Sequence, residues 1–298
     1  MRKVFVTGAG GFTGRHMAVE LAAHDYEPIG FFGTSVRQPA PEFRGALVGN
    51  LLDPACIGRA VAAVQPDLVV HLAGQAFVDH GNADELYRTN LLGTRNLLEA
   101  LAALAVPPAM TLLASSANVY GNAEVELLDE TIAAAPANDY AVSKLAMEYM
   151  AGLYRHRLPL VVTRPFNYTG VGQTTRFLIP KIVDHARRRA KVIELGNLDV
   201  ARDFSDVRVV ATAYRRLLEC PGAAGRVVNV CSGQALTLRE ILQLVQAISG
   251  HELPVRVNPA LVRANEVRKL RGSRALLESL TGPLAPIALR DTLAWMLE

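Results

Sequence analysis

Val4-Phe5-Val6-Thr7-Gly8-Ala9-Gly10-Gly11-Phe12-Thr13-Gly14 decides how the rest of the chain is read. The apolar run reads as a buried strand, the glycines as a turn, and Arg15 to Ala23 as the helix that follows. Gly8, Gly11 and Gly14 give the spacing G-x-x-G-x-x-G. A glycine at the turn permits positive φ. The next lets a pyrophosphate reach the exposed N–H groups at the start of the helix, beside Phe12 and Thr13, and the third lets helix and strand pack closely. The free N–H groups and the helix dipole favour an anion there. Strand, glycine turn and helix in direct succession predict the first unit of a dinucleotide-binding sheet.

Composition sets the outer bounds. The 298 residues suffice for one large or two modest domains, and half of them are hydrophobic and a fifth charged, an ordinary globular balance. A net charge of +3 is too small to argue for a nucleic-acid partner. The one dense basic run, Arg187-Arg188-Arg189 with Lys191, ends a predicted helix and reads as a solvated face. No apolar run reaches the ~18 residues of a membrane span, and the N-terminus reads as a strand rather than a signal peptide. Cys56, Cys220 and Cys231 are widely spaced and odd in number, which argues against disulfides or a metal site. A cytoplasmic protein, with no metal, membrane or nucleic acid, is the expectation.

In chain order, Pro28 to Phe32 reads as a second strand whose end faces an adenosine ribose. An acid there would bind the 2′-hydroxyl of NAD. Here Gly33-Thr34-Ser35-Val36-Arg37 follows, and Thr34, Ser35 and Arg37 could receive a 2′-phosphate, which favours NADPH over NADH. Ala46 to Leu51 is a short strand and turn that puts Asn50 and Leu51 beside the adenine. Asp53 and Pro54 read as N-cap and first residue of a helix to about Val64. Asp67 to Gly74 is a strand with a small-residue end, where Leu72, Ala73 and Gly74 pass close to the cofactor. His71, inside the apolar run, reads as a satisfied core histidine. Asp84 to Leu104 carries one long helical pattern that includes Asn90. Thr111 to Ser116 and Leu160 to Pro165 are further buried strands, and together these segments predict a doubly wound parallel sheet. Beyond Phe166 short strands mix with helices near 176–190, 206–219, 237–249 and 285–297. That region reads as a smaller mixed α/β part closing over the carboxyl edge of the sheet.

Three residues form a chemical constellation. Ser116 ends a strand at the carboxyl edge, where such sheets bind ligands. Tyr140 and Lys144 stand one helical turn apart on one face. A free phenol titrates near pH 10, and a cation about 4 Å away supplies roughly the 4 kcal/mol needed to bring it to neutrality. Lys144 is therefore expected to lower the pKa of Tyr140, and Tyr140 to exchange a proton with a carbonyl or alcohol oxygen held by Ser116.

The T-G-x-x-G-x-x-G of Thr7 to Gly14, Ser116 before Val119-Tyr120-Gly121, and Tyr140-x-x-x-Lys144 resemble the extended short-chain dehydrogenase/reductase superfamily. The resemblance implies a catalytic triad of Ser116, Tyr140 and Lys144, with Lys144 also on the nicotinamide ribose and Asn90 supporting the proton relay. Phe166-Asn167, Leu195 to Phe204 and Arg263-Ala264-Asn265-Glu266-Val267 resemble the GDP-mannose dehydratase and GDP-6-deoxy-4-keto-mannose reductase branch. It implies that Arg202 and Arg263 neutralise a diphosphate, a role that suits guanidinium. It also puts Glu266 on ribose hydroxyls, and Asn167, Leu178 and Lys181 on sugar or guanine.

Departures from the branch choose among reactions. Dehydratases of the group carry an acid two residues after the serine position, where this chain has Asn118, after Ala117. The related epimerase-reductase carries a cysteine and a histidine where Ala117 and Gly172 stand. What remains is hydride transfer plus one proton: reduction of a GDP-linked 4-keto-6-deoxy sugar with NADPH or NADH. A 4,6-dehydratase or epimerase, a reductase of another nucleotide sugar, and a non-catalytic cofactor sensor are the rival readings. Residues 1–165, with returning segments near 206–231, are expected to bind the cofactor, and 166–298 mainly the nucleotide sugar. Family habit implies a homodimer through helices 84–105 and 140–157.

Overall fold

The computed structural model describes residues 1–33, 40–76, 83–123, 125–261 and 269–298. The strands of the first half are β1 (Arg2–Thr7), β2 (Tyr26–Phe32), β3 (Gly45–Val48), β4 (Leu68–His71), β5 (Met110–Ala114) and β6 (Leu160–Pro165). Those of the second half are β7 (Asn167–Thr169), β8 (Ile193–Leu195), β9 (Ala201–Asp206), β10 (Val227–Val230), β11 (Ala235–Thr237), β12 (Val255–Val257) and β13 (Lys269–Leu270). Seven of them build a parallel sheet in the order β10-β6-β5-β4-β1-β2-β3, the doubly wound arrangement expected from the sequence.

Alternation along β1 explains its two-sided burial. Val4 and Val6 join one core with Met17, Leu21, Leu112 and Tyr214, while Phe5 points into the other with Ile57, Val61, Val69 and Leu97. Helices α1 (Phe12–Ala22) and α2 (Pro54–Val64) cover opposite faces of the sheet. Asp53 caps α2 as anticipated, its carboxylate accepting from the N–H groups of Ala55 (2.9 Å) and Cys56 (3.1 Å).

The long helix expected over 84–104 runs through 83–102 with a π-helical stretch in its middle. α3 (Ala83–Tyr87) runs into a π-turn at Arg88–Gly93, and α4 (Thr94–Ala102) continues beyond it. A π-turn adds a residue to the helical turn and re-aims its side chains. Gly93 packs on the turn after β3: a Cβ there would lie 2.8 Å from the end of the Leu51 side chain. A second adjustment concerns Ser116. Strand β5 stops at Ala114, and Ser116 instead caps a short 3₁₀ turn at Ala117–Tyr120 by accepting from the Asn118 N–H at 3.2 Å. Helix α5 (Asp139–Gly152) follows, capped by Asn138.

Helices α6 (Leu178–Arg187), α7 (Val207–Leu218), α8 (Leu238–Ser249), α9 (Ala275–Thr281) and α10 (Leu289–Leu297) belong to the second half. α6, α8 and α10 close a separate core around Ile182, Leu195, Ile241 and Leu293. β9 is flanked by β7, β11 and β13. α7 packs against α1, and β10 forms the outer strand of the first sheet, so the chain returns to that sheet after β9. The basic run lies at the end of α6, where Arg188 pairs with Asp184 at 3.0 Å in solvent. α9 was not foreseen; its seven residues are too few to display a helical period.

Candidate active site

The glycine turn acts as its spacing demands. Gly8 has φ +69°, and a Cβ on it would fall 2.6 Å from the Ala73 backbone nitrogen. A Cβ on Gly14 would stand 2.5 Å from the Gly8 carbonyl oxygen. Gly11 opens α1 with no side-chain cap and no acid in the first turn, leaving its N–H groups and dipole for an anion. Beside it lies a cleft of about 260 Å³ lined by Gly8, Phe31, Gly33, Asn50, Leu51 and Ala73. The bare helix start, the backbone-tight glycines and this cleft fit a dinucleotide. Thr34, Ser35 and Arg37, expected at its 2′-phosphate, lie outside the described residues.

Ser116, Tyr140 and Lys144 come together close to Gly74, the neighbour of the cleft residue Ala73: a Cβ on Gly74 would stand 3.2 Å from Lys144 Nζ. Ser116 and Lys144 are buried, and the Ser116 hydroxyl lies near the phenol of Tyr140 and favours its ionised form. The Lys144 ammonium donates to the Ala114 carbonyl at 2.8 Å and lies 6.0 Å from the centre of the Tyr140 ring. The electrostatics differ from the expectation. Lys144 does not lower the phenol. Burial pushes Tyr140 up to about 12, with the Ser116 hydroxyl opposing and Tyr168 adding to the rise. Desolvation of a phenolate exceeds what the neighbouring groups return. Lys144 is itself lowered to about 8 by burial, opposed by the charge of Glu148. The site thus holds a protonated phenol beside an ammonium and is set up as an acid.

Sequence reasoning passed over three supports. Glu148, one turn beyond Lys144, is locked by the Arg164 guanidinium at 3.0 and 2.7 Å and accepts from Ser115. Its spacing from Lys144 was the available signal. Tyr168 bonds the Thr13 hydroxyl at 2.8 Å and stacks on Phe12, tying the start of α1 to β7. Nothing in its local sequence shows this. Thr89 also lines the cleft, brought there by the π-turn. Asn90 is buried; its amide bonds the Gln75 backbone and donates to Ser143 Oγ at 2.9 Å.

The described residues assigned to the nucleotide sugar lie on three elements of the second half, β7, β9 and α6. Asn167 is exposed on β7 and donates to the Asp203 carbonyl at 3.3 Å. Arg202 stands mid-strand on β9, opposite Leu236 and Leu270. Leu178 opens α6, and Lys181 donates to the Glu194 carbonyl at 2.9 Å. Arg263 and Glu266 lie outside the described residues, but β13, which follows them, pairs with Ala201 and Arg202. Among the described residues no helix is long and apolar enough to cross a membrane.

Residues 4–231 match the NAD dependent epimerase/dehydratase family. The chain belongs to that family. The superfamily resemblance read from the motifs therefore holds. Within the family, the chain is 38% identical over 303 residues to GDP-6-deoxy-D-mannose reductase of Pseudomonas aeruginosa, covering 98% of this chain and 95% of that protein. It is 32% identical to GDP-6-deoxy-D-talose 4-dehydrogenase of Aggregatibacter actinomycetemcomitans, covering 94% and 91%. Among solved structures, RMD from Pseudomonas aeruginosa complexed with NADPH superposes with a TM-score of 0.86 at 37% identity, covering 100% and 96%. A provisionally assigned epimerase from Burkholderia cenocepacia J2315 superposes at 0.95 with 50% identity, covering 99% and 97%.

Proposed function

We propose that the chain reduces the C4 ketone of a GDP-linked 4-keto-6-deoxy hexose, GDP-6-deoxy-4-keto-D-mannose, to GDP-D-rhamnose or GDP-6-deoxy-D-talose. The observation that carries this reading is the meeting of Ser116, Tyr140 and Lys144 in a site where Ala117 and Asn118 stand in place of a second acid–base pair. The reductase and the 4-dehydrogenase named above act on GDP-linked 6-deoxy sugars and support it. NADPH or NADH, when bound, supplies the hydride. Ser116 donates a hydrogen bond that orients the carbonyl. Tyr140, kept protonated by its buried setting, gives its proton to the forming alkoxide. Lys144 offers charge to the resulting phenolate and a donor to the cofactor ribose.

In this reading residues 1–165 and the return near 206–231 hold the cofactor, and the remainder holds the nucleotide sugar. Phe12 and Thr13 present their N–H groups to the pyrophosphate, and Asn50 and Leu51 line the adenine end. Leu72, Ala73 and Gly74 follow the ribose, with Asn90 behind them. Arg202 and Arg263 clamp the sugar diphosphate, Glu266 accepts from the guanosine ribose, and Asn167, Leu178 and Lys181 approach sugar or base. The protein works in the cytoplasm as a homodimer. Val142, Tyr149 and Leu153 fall on one outer stripe of α5, and Tyr149 and Leu153 are 74% and 71% exposed, which supports pairing through that helix.

The test is to mix the protein with GDP-6-deoxy-4-keto-D-mannose and NADPH and follow nicotinamide absorbance. Stoichiometric oxidation with a reduced sugar is the expected result. The name of the Burkholderia relative favours a second reading, epimerisation. That activity would convert nucleotide sugar with no net consumption of cofactor.

A further inference from the structure

The His71 ring is bound on both sides, and the hydrogens run in one direction. Thr94 Oγ1 donates to the Asn90 carbonyl at 2.7 Å, so it accepts from His71 Nε2–H at 2.8 Å. Nδ1 is then the bare nitrogen and accepts from the Thr7 hydroxyl at 2.6 Å. Thr7 Oγ1 in turn accepts from the Ala73 N–H at 3.3 Å. Beyond Asn90 the chain continues. The amide oxygen accepts from the Gln75 N–H at 2.8 Å, and the amide nitrogen donates to the Gln75 carbonyl at 3.0 Å and to Ser143 Oγ at 2.9 Å. Ser143 gives its own hydrogen to the Tyr140 carbonyl at 2.8 Å.

Four segments are joined in this way: the end of β1 just before Gly8, the crossing at Ala73–Gln75, the π-turn, and the first turn of α5. Aligned hydrogen bonds of this kind polarise one another in a buried setting. The ring is fully enclosed, and burial with the charge of Lys144 pushes its pKa down to about 3, so one neutral tautomer persists. Both nitrogens face threonines, which leaves His71 no free edge for proton transfer to a substrate. Thr94, four residues after Asn90, back-bonds to its carbonyl, and this brings the Asn90 backbone and amide into the same network as the ring.

We propose that His71 is a positioning residue. Its neutral imidazole, spanning Thr7 and Thr94, fixes the crossing segment Ala73–Gln75 against the helix that carries Tyr140 and Lys144, and so sets the geometry of the ribose end of the cofactor groove. The kinetic part of this inference rests on the reductase reading above; the binding part does not. A displacement near 1 Å is enough to cost a large factor in rate.

The test uses Thr94→Val, which keeps shape and removes the hydroxyl, Thr94→Ser, which restores it, and His71→Leu. NADPH affinity is measured by titration, GDP affinity serves as a control for the sugar half, and kcat and KM are measured on the keto sugar. Thr94→Val and His71→Leu are expected to weaken NADPH about tenfold and to lower kcat at least as much, while GDP affinity and sugar KM stay within about twofold. Thr94→Ser should match wild type. The double variant should be no worse than His71→Leu alone, because the bonds act as one unit. If Thr94→Val and His71→Leu are folded and bind NADPH as wild type does, the positioning role is wrong. Should His71→Leu fail to fold, Thr94→Val against Thr94→Ser decides. If wild type leaves the keto sugar unreduced, the reductase reading fails while the NADPH titrations still decide the role of His71.

Discussion

In the proposed reduction Tyr140 is the residue on which the chemistry turns, and its surroundings favour the acid over the base. A phenol held near 12 gives up its proton only when the acceptor becomes strongly basic, as a forming alkoxide does. Replacing Tyr140 by Phe should lower kcat by about 10²–10⁴-fold and leave the NADPH dissociation constant intact; turnover at the wild-type rate would remove Tyr140 from the reaction. Lys144 predicts a pH profile. Its pKa near 8 means that the ammonium is present below that pH and lost above it, so kcat/KM should decline on the alkaline side. Glu148 raises the lysine, hence Glu148→Gln should move this limb to lower pH, and the unpaired Arg164 charge acts in the same direction. A limb that does not move would show that Glu148 has no hold on Lys144. The triad was legible because residue types and a one-turn spacing carry it. The direction of the Tyr140 shift was not, because desolvation depends on what packs over the ring.

Elements differ in how openly they announce themselves. The turn from β1 into α1 and the cap on α2 are local, so glycine spacing and an Asp-Pro pair sufficed to read them. The π-turn is a tertiary feature: its sequence, Arg88 to Gly93, is helical by composition, and only packing of Gly93 on Leu51 and of Asn90 on Gln75 reveals the extra residue. Glycines in two helices separate fit from propensity. Gly14→Ala should cost more than tenfold in NADPH affinity, since its Cβ would stand 2.5 Å from the Gly8 carbonyl oxygen at the mouth of the groove. Gly58→Ala, mid-helix in α2 with nothing within 4 Å, should raise stability by about 0.5–1 kcal/mol, read as a higher melting temperature. A lower melting temperature for Gly58→Ala would mean that the open space is occupied in solution.

The whole molecule sets two parts against one another, with the return of 207–230 to the first sheet joining them. Arg202→Ala should raise KM for the nucleotide sugar at least tenfold while NADPH affinity holds, because β9 lies in the second part and the glycine turn in the first; equal loss of both would place Arg202 elsewhere. For the homodimer proposed above, Leu153→Arg with Tyr149→Glu should shift sedimentation to monomer, and an unchanged dimer would move the interface off α5. The sequence by itself determined the parallel sheet and the glycine turn, which rest on periodicity and on spacing within one turn, and through the resemblance of its motifs the family. Only the tertiary structure decided the protonation of Tyr140, the Tyr168 contact with Thr13 and the His71 bridge. Those depend on groups 23 to 155 positions apart along the chain meeting in the interior, where burial rather than spacing fixes charge and hydrogen-bond direction.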